Sequence, residues 1–309
     1  MISIILPIYN EQDGLASFMR SLESELTKLK EDVEVIFIND GSTDDSLVLV
    51  KNYCDSNNRY KYLDLSRNFG HQIAVTAGID HALGDKIVLM DADGQDPPSV
   101  IPEMLAKMEE GYDVVYAKRI KRQEESLLKK MTASFFYKLL NKITSIEIPV
   151  DTGDFRIMNR KIVEGLKKMP EKQRYLRGQI AWLGYKQTSV SYERHGRNAG
   201  TTGYTYRKMI HLALDAITSF SNLPLRLATI SGFVCALIGF LLILYTLYSR
   251  FILQVYEPGW SSLMITIVFL GGIQLMGIGI IGEYISRIND NVKNRPLYLI
   301  AETNITLNA

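Results

Sequence analysis

Cysteine is almost absent: the chain has two in 309 residues, Cys54 and Cys235, in unlike surroundings, which excludes a disulfide-stapled scaffold. An excess of one charge is lacking as well. Lys and Arg number 35 against 34 Asp and Glu, scattered evenly for a net charge of +1, so bulk attraction to nucleic acid is not indicated and no nucleic-acid partner is expected. No Gly-x-Gly-x-x-Gly follows the first apolar strand, which disfavours a dinucleotide-dependent dehydrogenase. Met1 to Ile8 is too short for a signal peptide and has no basic start. Internal repeats and low-complexity tracts are missing too. Long uncharged runs, by contrast, are present, but only in the last third of the chain. Leu227 to Tyr248 and Ser261 to Gly282 are each 22 residues without a charge. A helix of that length spans about 33 Å, enough for a hydrocarbon layer of roughly 30 Å. Neither run has a polar face, which argues against buried core helices.

Residues 1 to about 205 have the composition of a soluble domain. Ile2 to Ile8 reads as a strand, and Asp13 caps a helix whose apolar positions Leu15, Phe18, Met19, Leu22, Leu26 and Leu29 keep helical period. Val33 to Ile38 is a second strand, closed by Asn39-Asp40-Gly41-Ser42-Thr43-Asp44. A third pair follows, with Tyr62 to Leu65 as strand and Gly70 to Leu83 as helix. Strands alternating with helices of this length predict a parallel sheet covered on both faces. The fourth strand, Lys86 to Met90, runs into Asp91-Ala92-Asp93-Gly94-Gln95-Asp96. Open α/β sheets bind ligands at the carboxyl ends of their strands, and two carboxylates one residue apart can share a divalent cation, with hard oxygen ligands suited to Mg²⁺ or Mn²⁺. An Asp-x-Asp in a turn can equally be a solvated cap.

Farther on, Tyr112 to Ala117 is a strand followed by Lys118-Arg119-Ile120-Lys121-Arg122. This basic run suits either a solvated face or phosphate. Val150 to Met158 sets Asp151, Asp154 and Arg156 around Gly153, and Arg174, Arg177, Arg194 and Arg197 add cations with room for a polyanion. Segment 206–222 is amphipathic, as expected of a helix lying in the headgroup region before a span.

Pro7-Ile8-Tyr9-Asn10-Glu11, Asn39-Asp40-Gly41-Ser42, Asp91 to Pro98, Gly153-Asp154-Phe155-Arg156 and Asn294-Arg295-Pro296-Leu297-Tyr298 together resemble the polyprenyl-phosphate glycosyltransferases of family 2. The resemblance covers nearly the whole chain and is nearest to the bacterial branch that makes undecaprenyl-phosphate glucose, with dolichyl-phosphate mannose synthases more distant. It implies an α/β GT-A nucleotide-sugar domain over 1–205, a juxtamembrane segment 206–226, two transmembrane helices within 227–286 and a cytoplasmic tail 287–309. The implied reaction is an inverting hexose transfer from a nucleotide sugar, with UDP-glucose as leading donor, to polyprenyl phosphate. On the donor side it implies Pro7, Tyr9, Asn10, Glu11, Asp40, Asp91, Ala92 and Arg119. Asp91, Asp93 and Gln95 are the implied metal ligands, Asp154 the catalytic carboxylate, and Arg156, Arg177 and Arg197 the acceptor and phosphate ligands. One departure stands at Gly203, where relatives often carry a Lys before Tyr204.

A processive polysaccharide synthase would be expected to show Gln-x-x-Arg-Trp and more spans; Gln173 to Gly178 lacks the Trp. A non-catalytic membrane scaffold leaves Asp91, Asp93 and Asp154 without a use. Arg207, Lys208 and Arg226 precede the first span and Arg287, Lys293 and Arg295 follow the second. The connection Ser249 to Trp260 has only Arg250, offset by Glu257. That asymmetry predicts both termini and the catalytic domain on the cytoplasmic side of the plasma (inner) membrane. The sequon Asn304-Ile305-Thr306 then lies on the wrong side for glycosylation. Gly272, Gly279 and Gly282 share a face of the second span, which permits a homo-oligomer.

Overall fold

The computed structural model describes residues 1–119, 152–193, 223–253 and 259–306. Eight strands form one sheet in the order β7-β5-β6-β4-β1-β2-β3-β8. β1 (Ile2–Ile8), β2 (Val33–Asn39), β3 (Tyr60–Leu65) and β4 (Lys86–Leu89) are parallel neighbours, as the alternating pattern predicts. α1 (Gln12–Leu26), α2 (Ser46–Ser56), α3 (His71–His81) and α4 (Ile101–Glu109) lie along the same chain. The helical period of the first is real: Leu15, Phe18, Met19, Leu22 and Leu26 are all buried, each stabilising by roughly 1.5–3 kcal/mol. Asp13, expected as its cap, sits instead in the first turn. Glu11 is the capping position and makes no side-chain cap bond. Asp13 still favours the helix through the dipole.

The sheet is not purely parallel. β5 (Val114–Arg119) pairs in parallel with β7 (Gln187–Tyr192), but β6 (Thr152–Asn159) runs antiparallel between β4 and β5. In the β4–β6 register Leu89 faces Arg156. Continued two residues past the ladder, that register sets Asp91 opposite Asp154. The antiparallel strand therefore brings the start of β6 to the edge where β4 ends, and a parallel strand there would have carried Asp154 to the opposite edge. α5 (Arg160–Lys167) and α6 (Leu176–Trp182) complete this part.

α3 presses unusually close to the sheet. A Cβ at Gly78 would meet Ile5 Cγ2 at 2.3 Å and Ile38 Cδ1 at 2.8 Å, so only glycine allows the approach. The packing fixes the helix that begins with His71.

α7 (Leu223–Tyr248) and α8 (Trp260–Val292) contain the two uncharged runs, and both are long and apolar enough to cross a membrane. No part of either apolar window is buried against protein, unlike a core helix. The expected tail 287–309 has structure of its own. α8 continues to Val292, and β8 (Ile300–Thr303) adds an antiparallel strand to the edge of β3. Segment 206–222 and Gly203 lie outside the described residues.

Candidate active site

All the expected strand-end motifs meet at one edge of the sheet. Pro7, near the end of central β1, has no N–H, and it stands beyond Ile5, the last residue of β1 paired with β4, so a missing donor costs little there. Beyond β1, Tyr9 is 48% exposed and Asn10 takes a left-handed backbone with φ of 55°. Asn10 holds the neighbouring loop: its N–H donates to Ser42 Oγ at 3.0 Å and its Oδ1 accepts from Thr43 N at 2.8 Å. The Glu11 N–H donates to Ser46 Oγ at 2.9 Å. Asp40 is buried, and its carboxylate accepts the N–H groups of Phe69 (2.7 Å) and Gly70 (3.0 Å). Burial raises its pKa despite those bonds. Asn10 and Asp40 thus tie three strand-end loops together in addition to any contact with a donor.

After β4, Asp91, Asp93 and Gln95 are partly open to solvent while Ala92 and Asp96 are buried. The turn closes on itself through Gln95 N–H donating to Asp93 Oδ1 at 3.0 Å, with Gly94 at φ of 72°. Burial, joined by the nearby Asp154, Asp96 and Asp93, pushes Asp91 up to about 6 even against the favourable charge of His71. Among the described residues no three His, Cys, Asp or Glu side chains form a ready-made metal cage. Mg²⁺ is often held by only one or two carboxylates together with the phosphates of a substrate. Asp91 and Asp93, half-buried at a strand end, are such a donor set.

Asp154 is clamped from both sides. Arg177 Nε donates to its Oδ1 at 2.8 Å and His71 Nε2 stands 3.0 Å from its Oδ2. Burial opposes its ionisation, but Arg177 and His71 outweigh that and hold the carboxyl well below the usual range. His71 also lies 3.8 Å from Asp91 Oδ1, so it stands between the two carboxylates. Arg156 is 5% exposed, and its guanidinium donates to the backbone carbonyls of Asp154 (3.2 Å) and Gly153 (3.0 Å). It braces the Gly153–Asp154 start of β6, and this is a different use from the open phosphate contact that the resemblance implies. Arg119 ends β5 beside Tyr192, while Arg197 lies outside the described residues.

His71 and Tyr192 escaped the sequence reading. The signal for His71 was its place just after a strand, in Leu65-Ser66-Arg67-Asn68-Phe69-Gly70-His71, the same strand-to-helix position that marked Asp40. Nothing local marks Tyr192, whose partners are 73 and 96 residues away.

The chain resembles known proteins along nearly its whole length. Residues 3–166 match the family model described as Glycosyl transferase family 2, and residues 223–288 match that described as GtrB C-terminal hairpin. An uncharacterized glycosyltransferase of Bacillus subtilis is 46% identical over 97% of this chain and 93% of its own length. The bactoprenol glucosyl transferase of Shigella phage SfII is 41% identical over 98% of each chain. Among solved structures, glucosyl-3-phosphoglycerate synthase from Mycobacterium tuberculosis, in complex with Mn²⁺, UDP and phosphoglyceric acid, superposes with a TM-score of 0.50. It is 17% identical and covers 71% of this chain and 76% of that one, which is a likeness of fold.

Proposed function

The chain belongs to glycosyl transferase family 2 and is a sugar-transferring enzyme, and within that family we propose that it moves glucose from UDP-glucose to undecaprenyl phosphate with inversion. The observation that carries the reading is the meeting of Asp91 and Asp93 with the clamped Asp154 at one sheet edge, in a chain with two apolar helices of membrane-spanning length. The bactoprenol glucosyl transferases among its relatives support glucose and a polyprenyl phosphate as the substrates.

In this mechanism the open loops after β1 and β2 receive the nucleoside, and Tyr9 offers an exposed ring for stacking. Asp91, Asp93 and Gln95 would hold Mg²⁺ or Mn²⁺, which would supply positive charge at the departing diphosphate. Arg119 adds a planar guanidinium suited to phosphate oxygens. The acceptor arrives as a phosphate, already largely dianionic near neutral pH, and needs little help to lose a proton. Asp154 therefore acts by holding Arg177 and His71, which in turn orient the incoming anion for attack on the face opposite the leaving group. Two membrane spans with the domain and both termini on the cytoplasmic side of the inner membrane keep that lipid phosphate within reach.

The test is a donor panel of UDP-glucose, UDP-N-acetylglucosamine, UDP-4-formamido-arabinose and GDP-mannose. Each is assayed with purified full-length protein, Mn²⁺ or Mg²⁺ and a short polyprenyl phosphate. Metal-dependent formation of a glucosyl lipid from UDP-glucose is expected. Transfer from another donor alone would overturn the glucose assignment, and free sugar with no lipid product would overturn the acceptor.

A further inference from the structure

Arg119 and Tyr192 are the last residues of β5 and β7 and are partners in the parallel register, so guanidinium and phenol start from adjacent backbone positions. Arg119 Nε donates to the Tyr192 hydroxyl at 3.3 Å. The same hydroxyl donates to Asp96 Oδ1, in the loop that carries Asp93 and Gln95. On another side the guanidinium lies against Gly153: a Cβ there would meet Arg119 Nη2 at 2.8 Å. Tyr192 is itself fixed, 4% exposed, with its ring edge-on to Phe155 at 6.0 Å.

We infer that Tyr192 and Gly153 are positioning residues, a cradle that seats Arg119 for the donor's diphosphate and ties it to the metal-side loop; this rests on the donor reading proposed above. The physical reason lies in the shape of the arginine. A guanidinium binds phosphate well only when its plane is set, because its five donors form a rigid fork. A hydrogen bond from Nε fixes the plane and leaves the two terminal nitrogens for a ligand. Tyr is suited to the task because its hydroxyl accepts from Arg119 while donating to the buried Asp96 carboxylate, and each bond strengthens the other. Gly153 supplies the space that any side chain would fill. Through Asp96, three residues beyond Asp93, the phosphate-side arginine and the metal-side carboxylates are held in one frame, although they come from strands separated in sequence.

The experiment is calorimetric titration of the full-length protein in detergent with Mn²⁺, using UDP and uridine as separate probes. Tyr192→Phe removes only the hydroxyl, and Gly153→Ala leaves the hydroxyl but fills the space. Each is expected to weaken UDP about tenfold and leave uridine unchanged, as for loss of one hydrogen bond to a charged group. In an Arg119→Gln background Tyr192→Phe should weaken UDP by clearly less than tenfold, because the larger part of the tyrosine's effect passes through the arginine and only its bond to Asp96 remains to be lost. Should Tyr192→Phe fail to fold, Gly153→Ala carries the same comparison. Unchanged UDP affinity in these variants, an equal loss of uridine, or a further tenfold loss without Arg119 would overturn the cradle. If the wild-type protein bound UDP no more tightly than uridine, the donor reading itself would fall, and the cradle with it.

Discussion

Replacing Asp154 by Asn separates two roles that a carboxylate at this position could have. Its oxygens lie 2.8 Å from Arg177 Nε and 3.0 Å from His71 Nε2, and its side chain is only 15% exposed. At an effective dielectric constant near 20 the arginine contact alone has a gross Coulomb energy of about 6 kcal/mol, and breaking a largely buried pair costs about 3–5 kcal/mol net. Expressed in the transition state, that predicts a loss of about 10² to 10⁴ in kcat. General-base catalysis predicts a loss of similar size, about 10² to 10⁴, so the size cannot decide. The pH dependence can. A phosphate monoester with a second pKa near 6 is about one-tenth dianionic at pH 5 and about nine-tenths at pH 7. If Asp154 were the base, the wild type would remove the remaining proton itself, and the variant's deficit would shrink about tenfold over that range. If Asp154 instead holds Arg177 and His71, the deficit does not shrink from pH 5 to 7, and it grows where His71, which burial would lower but Asp154 and Asp91 raise to about 9, loses its proton earlier in the variant; pH 9 restores nothing. Initial rates with saturating Mn²⁺ and matched thermal stability give the ratio directly. A deficit that shrinks tenfold would refute the positioning role and reinstate the base.

The metal assignment predicts that Asp93→Asn loses on the order of a hundredfold or more in metal-dependent transfer while staying folded and membrane-bound; near-normal turnover with Mg²⁺ and Mn²⁺ would remove Asp93 from the ligand set. For topology, a cysteine introduced as Gly259→Cys, just ahead of α8, should react with an impermeant thiol reagent on intact cells, and labelling only after lysis would invert the arrangement. Gly78→Ala must push against Ile5 and Ile38, both fully buried, and overpacking of about 1–3 kcal/mol should lower Tm by roughly 3–10 °C. An unchanged Tm would mean that α3 can shift away from the sheet without cost.

Legibility in the sequence followed the range of the physics involved. The first four strands and α1 rest on local period, and Leu15, Phe18, Leu22 and the apolar β1, β2 and β4 runs are buried as their pattern requires. Asp91 and Asp93 were readable because strand and turn are adjacent in sequence. Helix ends were less so: α3 begins at His71 and stops at His81, because Gly70 takes φ of 98° and Ala82 turns extended. The direction of β6 could not be read at all. An apolar run such as Phe155-Arg156-Ile157-Met158 has the same pattern parallel or antiparallel, and only its neighbours decide. The clamp on Asp154 depends on that direction, so the partnership with His71, 83 residues away, was beyond local reasoning.

The residues after α8 make the same point with a physical consequence. Ile300 to Thr303 is too short to read as a strand, and it becomes one because β3 offers an open edge. The docking is polar and specific. Asn304 accepts from Tyr62 N at 2.8 Å and donates to Tyr60 O at 3.2 Å, so the amide of the chance sequon is in use within the fold. Lys51 pairs with Glu302 at 2.6 Å, and the Tyr298 hydroxyl reaches Asp80 near the end of α3 at 3.0 Å. Before that, the end of α8 is already attached: Asn291 accepts from Lys172 N at 3.0 Å, Asn294 from Lys172 Nζ at 2.9 Å, and Arg287 donates to Gln173. Gln173 is four residues before Arg177, which holds Asp154, and Asp80 is on the helix whose first residue is His71. The elements that carry both donors to Asp154 are thus hydrogen-bonded to α8 and to the chain that leaves it. On the membrane reading proposed above, a strand returning from α8 into the sheet holds the site at a set height above the lipid layer that carries the acceptor, which a free tail could not do.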